Sequence, residues 1–90
     1  MAQAIVNPEE LRAFALKLKQ FNNTLSDQAV LLANQLEALG TSWRDQENLK
    51  FTDEFKEHMR LLAQFVEANN EHIPYLLRKA ERIEEYLQQR

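Results

Sequence analysis

The sequence predicts an all-α fold: an antiparallel helical hairpin that pairs with a second hairpin as a four-helix bundle dimer. Two long segments carry apolar residues at three- and four-residue spacing, which is typical of amphipathic helices. The only glycine and the only tryptophan lie in the short stretch between these segments. A link this short makes consecutive helices fold back on each other. We predict one domain over residues 1–90, with helix one at about 8–39, a turn at 40–42 and helix two at about 43–88.

Helix one begins at a strong start signal and continues as a heptad-like apolar stripe. Asn7 can cap the helix, Pro8 suits its first position, and Glu10 follows the cap by three residues. The polar stretch 22–27 has low helix propensity, but the stripe keeps its phase across it, so we interpret it as helical. The stripe consists of Leu11, Phe14, Leu18, Phe21, Leu25, Ala29, Leu32, Leu36 and Leu39.

The turn contains residues that end one helix and start the next. We predict that Gly40 ends helix one in the left-handed conformation, and that Thr41 and Ser42 cap helix two. Asp45 follows Ser42 by three residues and approximates a capping box. Trp43 has two interpretations, an exposed side chain that binds a partner or a lid over the end of the bundle.

Helix two has a wider apolar arc, and a proline lies inside it. Pro74 removes one backbone hydrogen bond and predicts either a kink or a short break; the unbroken apolar phase favours a kink near Pro74. A three-helix monomer broken there is the alternative architecture. Asn69 is either a neighbour of the kink or a polar seam residue that fixes register. The stripe consists of Phe51, Phe55, Met59, Leu62, Val66, Ile73, Leu76, Ala80, Ile83 and Leu87, flanked by Phe65, Leu77 and Tyr86.

One hairpin cannot cover this much apolar surface. Each helix buries a single seam against the other, yet the arc of helix two is broader, and Leu16 and Val30 lie off the stripe of helix one. The uncovered surface is worth several kcal/mol, which is comparable with the whole stability of a small domain. We therefore predict an obligate dimer with isologous antiparallel pairing. The predicted core or dimer seam comprises Leu18, Phe21, Leu25, Leu32, Phe55, Met59, Leu62, Val66, Ile73 and Leu76.

Composition excludes several classes of partner and site. A net charge of −3 and a pI near 5.3 argue against nucleic acid, because phosphate binding needs a concentrated basic face. The absence of cysteine excludes disulfides and thiolate metal sites. No apolar run approaches the ~20 residues that span a bilayer, so we expect no membrane insertion. The first residues lack a basic segment followed by an apolar one, so we expect a protein made in the cytoplasm that, if secreted, carries no cleaved signal peptide.

Nothing in the sequence resembles an active site, and we predict no enzyme activity, no catalytic residue, no cofactor and no metal. No nucleophile elbow, Ser-His-Asp spacing or glycine-rich phosphate loop is present. The two histidines, His58 and His72, flank the apolar arc of helix two without the Glu-x-x-His pairs of bundle metal sites. Our hypothesis is that they lie partly buried at the dimer seam. The dimer would then weaken at mildly acidic pH, because charging a buried imidazole costs desolvation.

The turn and the residues after it resemble the Trp-X-Gly (WXG) proteins of type VII secretion systems, the early-secreted-antigen family. The matching residues are the turn 39–43 with its central tryptophan, and Phe51 and Phe55, eight and twelve residues after Trp43. The resemblance covers nearly the whole chain. It implies a helical hairpin that pairs into a homo- or heterodimeric four-helix bundle and in many cases is exported folded. The implied partners are a second copy or a related hairpin protein, and a secretion ATPase.

The chain departs from the family pattern in two ways. The family's glycine two residues after the tryptophan is Asp45 here, so the motif reads Trp43-Arg44-Asp45, and the only glycine is Gly40. Family export signals place a tyrosine four residues ahead of an acidic residue, and neither tyrosine here has that spacing. Two functions stay open. One is a substrate or escort of a type VII-like system recognised at the turn; the other is a cytoplasmic dimerisation or adaptor module that binds through Leu61, Phe65 and Tyr86.

Overall fold

The computed structural model describes residues 6–89, which form two long α-helices and no strand. Helix α1 spans Pro8–Leu39 and helix α2 spans Gln46–Gln88. The chain reverses between them, and the two helices pack along their length in opposite directions. The predicted all-α hairpin is confirmed.

The start of α1 follows from its capping residue. The Asn7 side chain accepts hydrogen bonds from the backbone N–H groups of Glu9 and Glu10, at 2.8 and 3.4 Å. The two acidic residues also complement the positive end of the helix dipole. The polar stretch 22–27 is helical, as its apolar phase indicates, so α1 runs unbroken for 32 residues.

The start of α2 differs from the prediction by three residues. The N-cap is Asp45, whose carboxylate accepts the backbone N–H of Asn48 at 3.0 Å, and the helix begins at Gln46. The prediction that Thr41 and Ser42 cap α2 was wrong. Their hydroxyl groups instead donate backwards, to carbonyl oxygens three residues earlier at the end of α1. Short hydroxyl side chains make such local bonds as readily as caps, so the sequence alone offered both.

Gly40 does not adopt the left-handed conformation predicted for it. Its φ and ψ angles are −64° and −13°, and its N–H donates to the carbonyl oxygens of Leu36 and Glu37. No residue between 6 and 89 has a positive φ angle. The prediction was wrong because a six-residue connection lets α1 tighten into a further right-handed turn before the chain reverses. A shorter link would have required the abrupt left-handed end that glycine favours.

Helix α2 continues through Pro74 for 43 residues. The alternative three-helix monomer, broken near this proline, was therefore wrong. Ile73 and Leu76 on either side of Pro74 are half-buried against α1. This packing holds the helix together where the proline removes one backbone hydrogen bond.

The hairpin is an elongated rod that has a seam and no thick core. It measures 68 × 22 × 17 Å, and its radius of gyration is 20.3 Å, against about 12 Å for a compact domain of this length. Within the described residues, the only buried apolar side chains are Ala15 and Ala80. The apolar surface removed from water inside one chain is therefore small.

Candidate recognition surface

The middle of the seam is held by three asparagines. Asn22 is fully buried, and its amide nitrogen donates to Asn70 Oδ1 at 2.9 Å. Asn69 donates in turn to Asn22 Oδ1 at 3.1 Å. Both hydrogen-bonding ends of the buried amide are thus satisfied across the hairpin. A one-residue slip of either helix would break both bonds and leave a buried polar group unpaired, so this cluster fixes the register.

The seam of α1 lies on a stripe one residue away from the predicted one at two points. Ala15 and Asn22 are buried, whereas their predicted neighbours Phe14 and Phe21 are about half exposed. On α2 the buried Asn48 lies near the turn, and Phe51 stays exposed. Of the predicted core or dimer seam, Phe21 and Leu32 are exposed in the hairpin, and eight residues are half-buried: Leu18, Leu25, Phe55, Met59, Leu62, Val66, Ile73 and Leu76.

Asn22 is the site residue that the sequence analysis missed. Hydropathy treats an asparagine between apolar stripes as an interruption. One signal in the sequence could have found it. A second pair of asparagines, Asn69 and Asn70, lies on α2 at the position that faces Asn22 when the two helices pack antiparallel. Asn69, predicted either as a seam residue or as a neighbour of the kink, lies in the seam.

The turn is held by several hydrogen bonds between its own polar groups. The Arg44 Nε donates to the Thr41 carbonyl oxygen at 2.9 Å, and the Asn48 amide donates to the Trp43 carbonyl oxygen. The Thr52 hydroxyl donates to Asn48 Oδ1 at 2.8 Å, which holds that amide in place. The turn therefore presents one defined shape at the tip of the rod.

The Trp43 side chain is neither fully exposed nor fully buried. Its indole ring is half-buried, and its centroid lies 6.1 Å from that of Phe51 at an interplanar angle of 38°. Phe51 continues the row with Phe55, at 6.0 Å and 27°. Such offset aromatic contacts contribute about 0.5–1.5 kcal/mol each beyond area burial. The row fixes the indole and leaves part of it open to a partner.

Position 45 needs no glycine in this chain. Asp45 has φ and ψ of −89° and −177°, an extended conformation that any residue adopts. Its side chain supplies the N-cap of α2, a bond that glycine would not make. The departure Trp43-Arg44-Asp45 is therefore compatible with the hairpin turn.

The exposed apolar side chains outside the seam fall on two opposite sides of the rod. We view each helix along its own axis from the N-terminus and note whether a side chain lies clockwise or anticlockwise of the seam. In an antiparallel pair, side chains displaced in the same sense on the two helices lie on the same side of the rod. We call one side the Phe65 face; its large exposed apolar residues are Phe14, Phe21, Leu31, Phe51, Leu61, Phe65, Tyr75 and Tyr86. We call the other side the Val30 face; its large exposed apolar residues are Leu16, Val30, Leu49 and Leu77.

The two faces differ in charge as well as in apolar content. The middle of the Phe65 face, between Lys17 and the turn on α1 and between Glu54 and Lys79 on α2, contains no Asp, Glu, Lys or Arg. Besides apolar residues, that middle holds Thr24, Gln28, Gln35, His58 and His72. Charged residues are spread along the whole Val30 face: Arg12, Lys19, Glu37, Lys56, Arg60, Glu67 and Glu84.

An ion pair and a shallow groove mark the Val30 face. Arg12 forms a bidentate contact with Glu84, at 2.5 and 3.3 Å, and this hydrogen bonding lowers the pKa of Glu84 below its usual range and raises that of Arg12. The pair is well exposed, so its contribution to stability is small. Small side chains nearer the turn, Ser26, Ala33 and Ala63, line the groove.

His58 and His72, which we expect at the dimer seam, lie on the Phe65 face and are exposed in the single hairpin. Within residues 6–89, no three His, Asp or Glu side chains converge in a way that could hold a metal ion. No helix in that range is long and apolar enough to cross a membrane.

These features define a small helical-hairpin protein whose distinctive surfaces are an ordered Trp43 turn and one broad apolar face. The chain belongs to the WXG100 family, described as proteins of 100 residues with WXG, whose family model matches residues 3–86. Membership associates the protein with type VII secretion. No curated protein and no solved structure gives a significant match.

Proposed function

We propose that this protein is a substrate, or the escort of a substrate, of a type VII-like secretion system. It acts by protein–protein binding, performs no chemistry of its own, and is recognised as a folded dimer. The observation that carries the proposal is the Trp43 turn in a member of the WXG100 family. A turn that is already ordered by internal hydrogen bonds costs little ordering entropy on binding, which suits it to recognition.

A system-specific membrane ATPase is the partner we propose for the turn. The exposed part of the Trp43 indole and the exposed Arg44 side chain lie together at the tip of the rod. Tryptophan and arginine are the residue types that most often dominate binding energy at protein interfaces. The turn of one hairpin, with the neighbouring surface of its partner, would form the epitope.

The direct test follows a tagged copy of the protein in its native host. Its amount in cells and in culture fluid is compared between the parent strain and a strain that lacks the membrane ATPase. We expect the protein in the culture fluid of the parent strain alone. Equal release from both strains would overturn the proposal.

Variants at the turn test the role of Trp43 separately. Trp43→Ala removes the indole, and we expect export to fall at least tenfold while the solution mass stays unchanged. Trp43→Phe keeps an aromatic ring on Phe51 and should restore part of the export. Leu49→Ala, which truncates an exposed apolar residue in the first turn of α2 on the Val30 face, is the control. Equal loss in the Leu49 and Trp43 variants would contradict recognition through the turn.

The second candidate function is a cytoplasmic dimerisation or adaptor module. It is favoured by the absence of a tyrosine placed four residues ahead of an acidic residue. Its binding surface would be the flank of α2 that carries Leu61, Phe65 and Tyr86. Retention of the protein in cells of both strains would select this function over export.

A further inference from the structure

We propose that Asn48 is a positioning residue for Trp43, and that its buried amide, held in place by Thr52, sets the direction in which the indole leaves the turn. The inference rests on the proposed recognition of Trp43 by the membrane ATPase and identifies the residue that prepares this side chain for binding. Asn48 is only 8% exposed, so it acts through Trp43 and does not contact the partner itself.

Two polar residues occupy the turn end of the α2 seam. Asn48 and Thr52 lie seven and three residues before Phe55, so they continue the seam stripe of α2 toward the turn. Asn48 is buried and Thr52 is half-buried, at positions where an aliphatic side chain would bury more apolar area. A polar pair in this place lowers the stability gained from the seam, and such departures from the local pattern are expected at functional positions.

The Asn48 side chain uses both ends of its amide. The amide nitrogen donates to the Trp43 carbonyl oxygen, and the amide oxygen accepts the Thr52 hydroxyl group at 2.8 Å. A carbonyl oxygen can only accept, so the nitrogen must face Trp43 and the oxygen must face Thr52. The backbone N–H of Asn48 donates to the Asp45 carboxylate at 3.0 Å, which also anchors the residue to the N-cap.

The Trp43 carbonyl group depends on this amide. Trp43 lies two residues before the N-cap Asp45, and within residues 6–89 no backbone N–H donates to its oxygen. Its own N–H donates to the Leu39 carbonyl oxygen at 2.9 Å. With Asn48 on the carbonyl side, the backbone is held on both sides of the Trp43 Cα atom, and the direction of the Cα–Cβ bond is thereby fixed.

The indole ring is held by a second, separate contact. Its centroid lies 6.1 Å from that of Phe51, which restrains the side-chain torsion angles of Trp43. Asn48 restrains the backbone that carries this side chain. Together the two contacts keep the open part of the indole in one direction, which lowers the ordering cost of binding. Loss of the Asn48 donor should therefore free the indole although Phe51 remains.

An aspartate at position 48 separates positioning from helix formation. Aspartate has nearly the size and shape of asparagine, but its ionised carboxylate cannot donate, and it would place a negative oxygen against the Trp43 carbonyl oxygen. Position 48 is the third residue of α2, where the helix dipole favours a negative charge. Asn48→Asp should therefore leave the start of the helix intact and remove the bond to Trp43.

Fluorescence measures the position of the indole directly. The chain contains one tryptophan, so the intrinsic fluorescence of the purified protein reports on Trp43 alone. We expect acrylamide to quench Asn48→Asp about twofold more strongly than the wild type, at an unchanged helical circular dichroism signal. Gln46→Glu makes the same amide-to-acid change at the exposed first residue of α2 and should leave the quenching unchanged. Equal quenching of Asn48→Asp and the wild type would overturn the proposal.

Thr52 tests the same link without a new charge. Thr52→Val removes the hydroxyl group at nearly constant volume, so Asn48 keeps its bond to Trp43 but loses the group that holds it. We expect quenching to rise by a smaller factor than in Asn48→Asp. Thr52→Ser keeps the hydroxyl group and should restore the wild-type value. Equal effects of the valine and serine variants would show that Thr52 acts through packing, and would overturn its part in the proposal.

Export of the same variants separates this inference from the proposed function. In the native host, Asn48→Asp should reduce export roughly tenfold relative to Gln46→Glu, because the partner meets an indole that is no longer held. A freed indole with undiminished export would overturn the role of Asn48 in recognition and leave the secretion role standing. A wild-type chain that is never exported would overturn the secretion role, whereas the fluorescence of the purified variants would still decide whether Asn48 positions Trp43.

Discussion

The inner seam of this hairpin and its Phe65 face carry different kinds of side chain. The fully buried seam residues are two alanines and two asparagines, with half-buried, mostly aliphatic residues between them, whereas most of the phenylalanine and tyrosine residues in the described range lie on the Phe65 face, about half exposed. Small residues let two helices approach closely, and hydrogen-bonded asparagines set their register. Large aromatic residues supply most of the free energy of an interface. The difference fits the predicted dimer, in which the seam aligns the two helices of one chain and the Phe65 face contacts a partner.

The variant for which we expect the largest effect tests whether the aromatic residues of α1, like those of α2, bind the partner. Phe21→Ala on the Phe65 face should raise the dimer dissociation constant about a hundredfold, because both copies lose apolar area worth ~1.5 kcal/mol each. Leu16→Ala, at 60% exposure on the other side, should change it less than threefold. Sedimentation velocity measures both. Similar losses for the two variants would show that the Phe65 face of α1 is not part of the dimer interface.

The seam itself should respond to loss of its central amide. Asn22→Ala removes both interhelical hydrogen bonds and leaves Asn69 and Asn70 without their partner, so we expect the free energy of unfolding to fall by about 2 kcal/mol. Urea denaturation at a fixed protein concentration measures this change. Asn23→Ala, at the exposed next position, is the control and should cost less than about 0.5 kcal/mol. Equal costs would show that the asparagine cluster does not hold the seam.

The pH dependence of self-association should come from the Phe65 face. On that face Glu54 lies one helical turn before His58, and the next charges are Lys17 and Lys79; Glu57 and Glu71 adjoin the two histidines along the chain. Burial in the dimer disfavours the charged imidazole, so affinity is retained at neutral pH and decreases as protons are taken up. We expect roughly tenfold weaker association at pH 5 than at pH 7.5. The dimer affinity of the double variant, with glutamine at both positions, should not change with pH. A wild-type affinity that does not change with pH would show that the histidines are not buried in the interface.

The Arg12–Glu84 pair on the Val30 face should contribute little. Its hydrogen bond lowers the pKa of Glu84, so the stabilisation is present above the ordinary carboxyl range and lost as pH falls through the lowered value. Glu84→Gln should lower the thermal midpoint slightly at pH 7, less in high salt, and progressively less as the pH falls below the ordinary carboxyl range. Glu85→Gln is the exposed control. A large midpoint shift that does not change with pH or salt would mean that Glu84 acts through packing.

Gly40→Ala should have the smallest effect. Gly40 is right-handed, so an alanine meets no backbone strain, and its Cβ would lie 3.3 Å from the Glu37 carbonyl oxygen. The slight crowding is destabilising, whereas the lower conformational entropy of the unfolded alanine variant is stabilising. We therefore expect the free energy of unfolding, measured by urea denaturation, to change by no more than about 0.5 kcal/mol. A loss above about 1 kcal/mol would indicate that the turn needs the left-handed conformation after all.

Periodicity was sufficient to predict both helices, because their stripes are long and their phases continuous. It was insufficient to choose between Phe14 and Ala15, or between Phe21 and Asn22, as seam residues. Each pair shares the same neighbours Leu11, Leu18 and Leu25, and of the two adjacent stripes only one is buried against α2. A hydropathy pattern records that an interface exists without stating which partner fills it.

The turn was harder to predict than the helices for a local reason. Thr41, Ser42 and Asp45 can all act as caps, and Gly40 can end a helix in either hand. The hydrogen bonds that decide among them, including the one from Asn48 to the Trp43 carbonyl, depend on how the chain reverses. Such bonds leave no periodic signal in the sequence.

We propose that the hairpin completes its fold by pairing with a second copy. The decisive experiment is light scattering of the purified chain across a dilution series, with circular dichroism on the same samples. We expect a helical dimer at micromolar concentration whose helical signal falls together with its mass as dissociation begins. A stably helical monomer over the whole series would show that the hairpin needs no partner to fold.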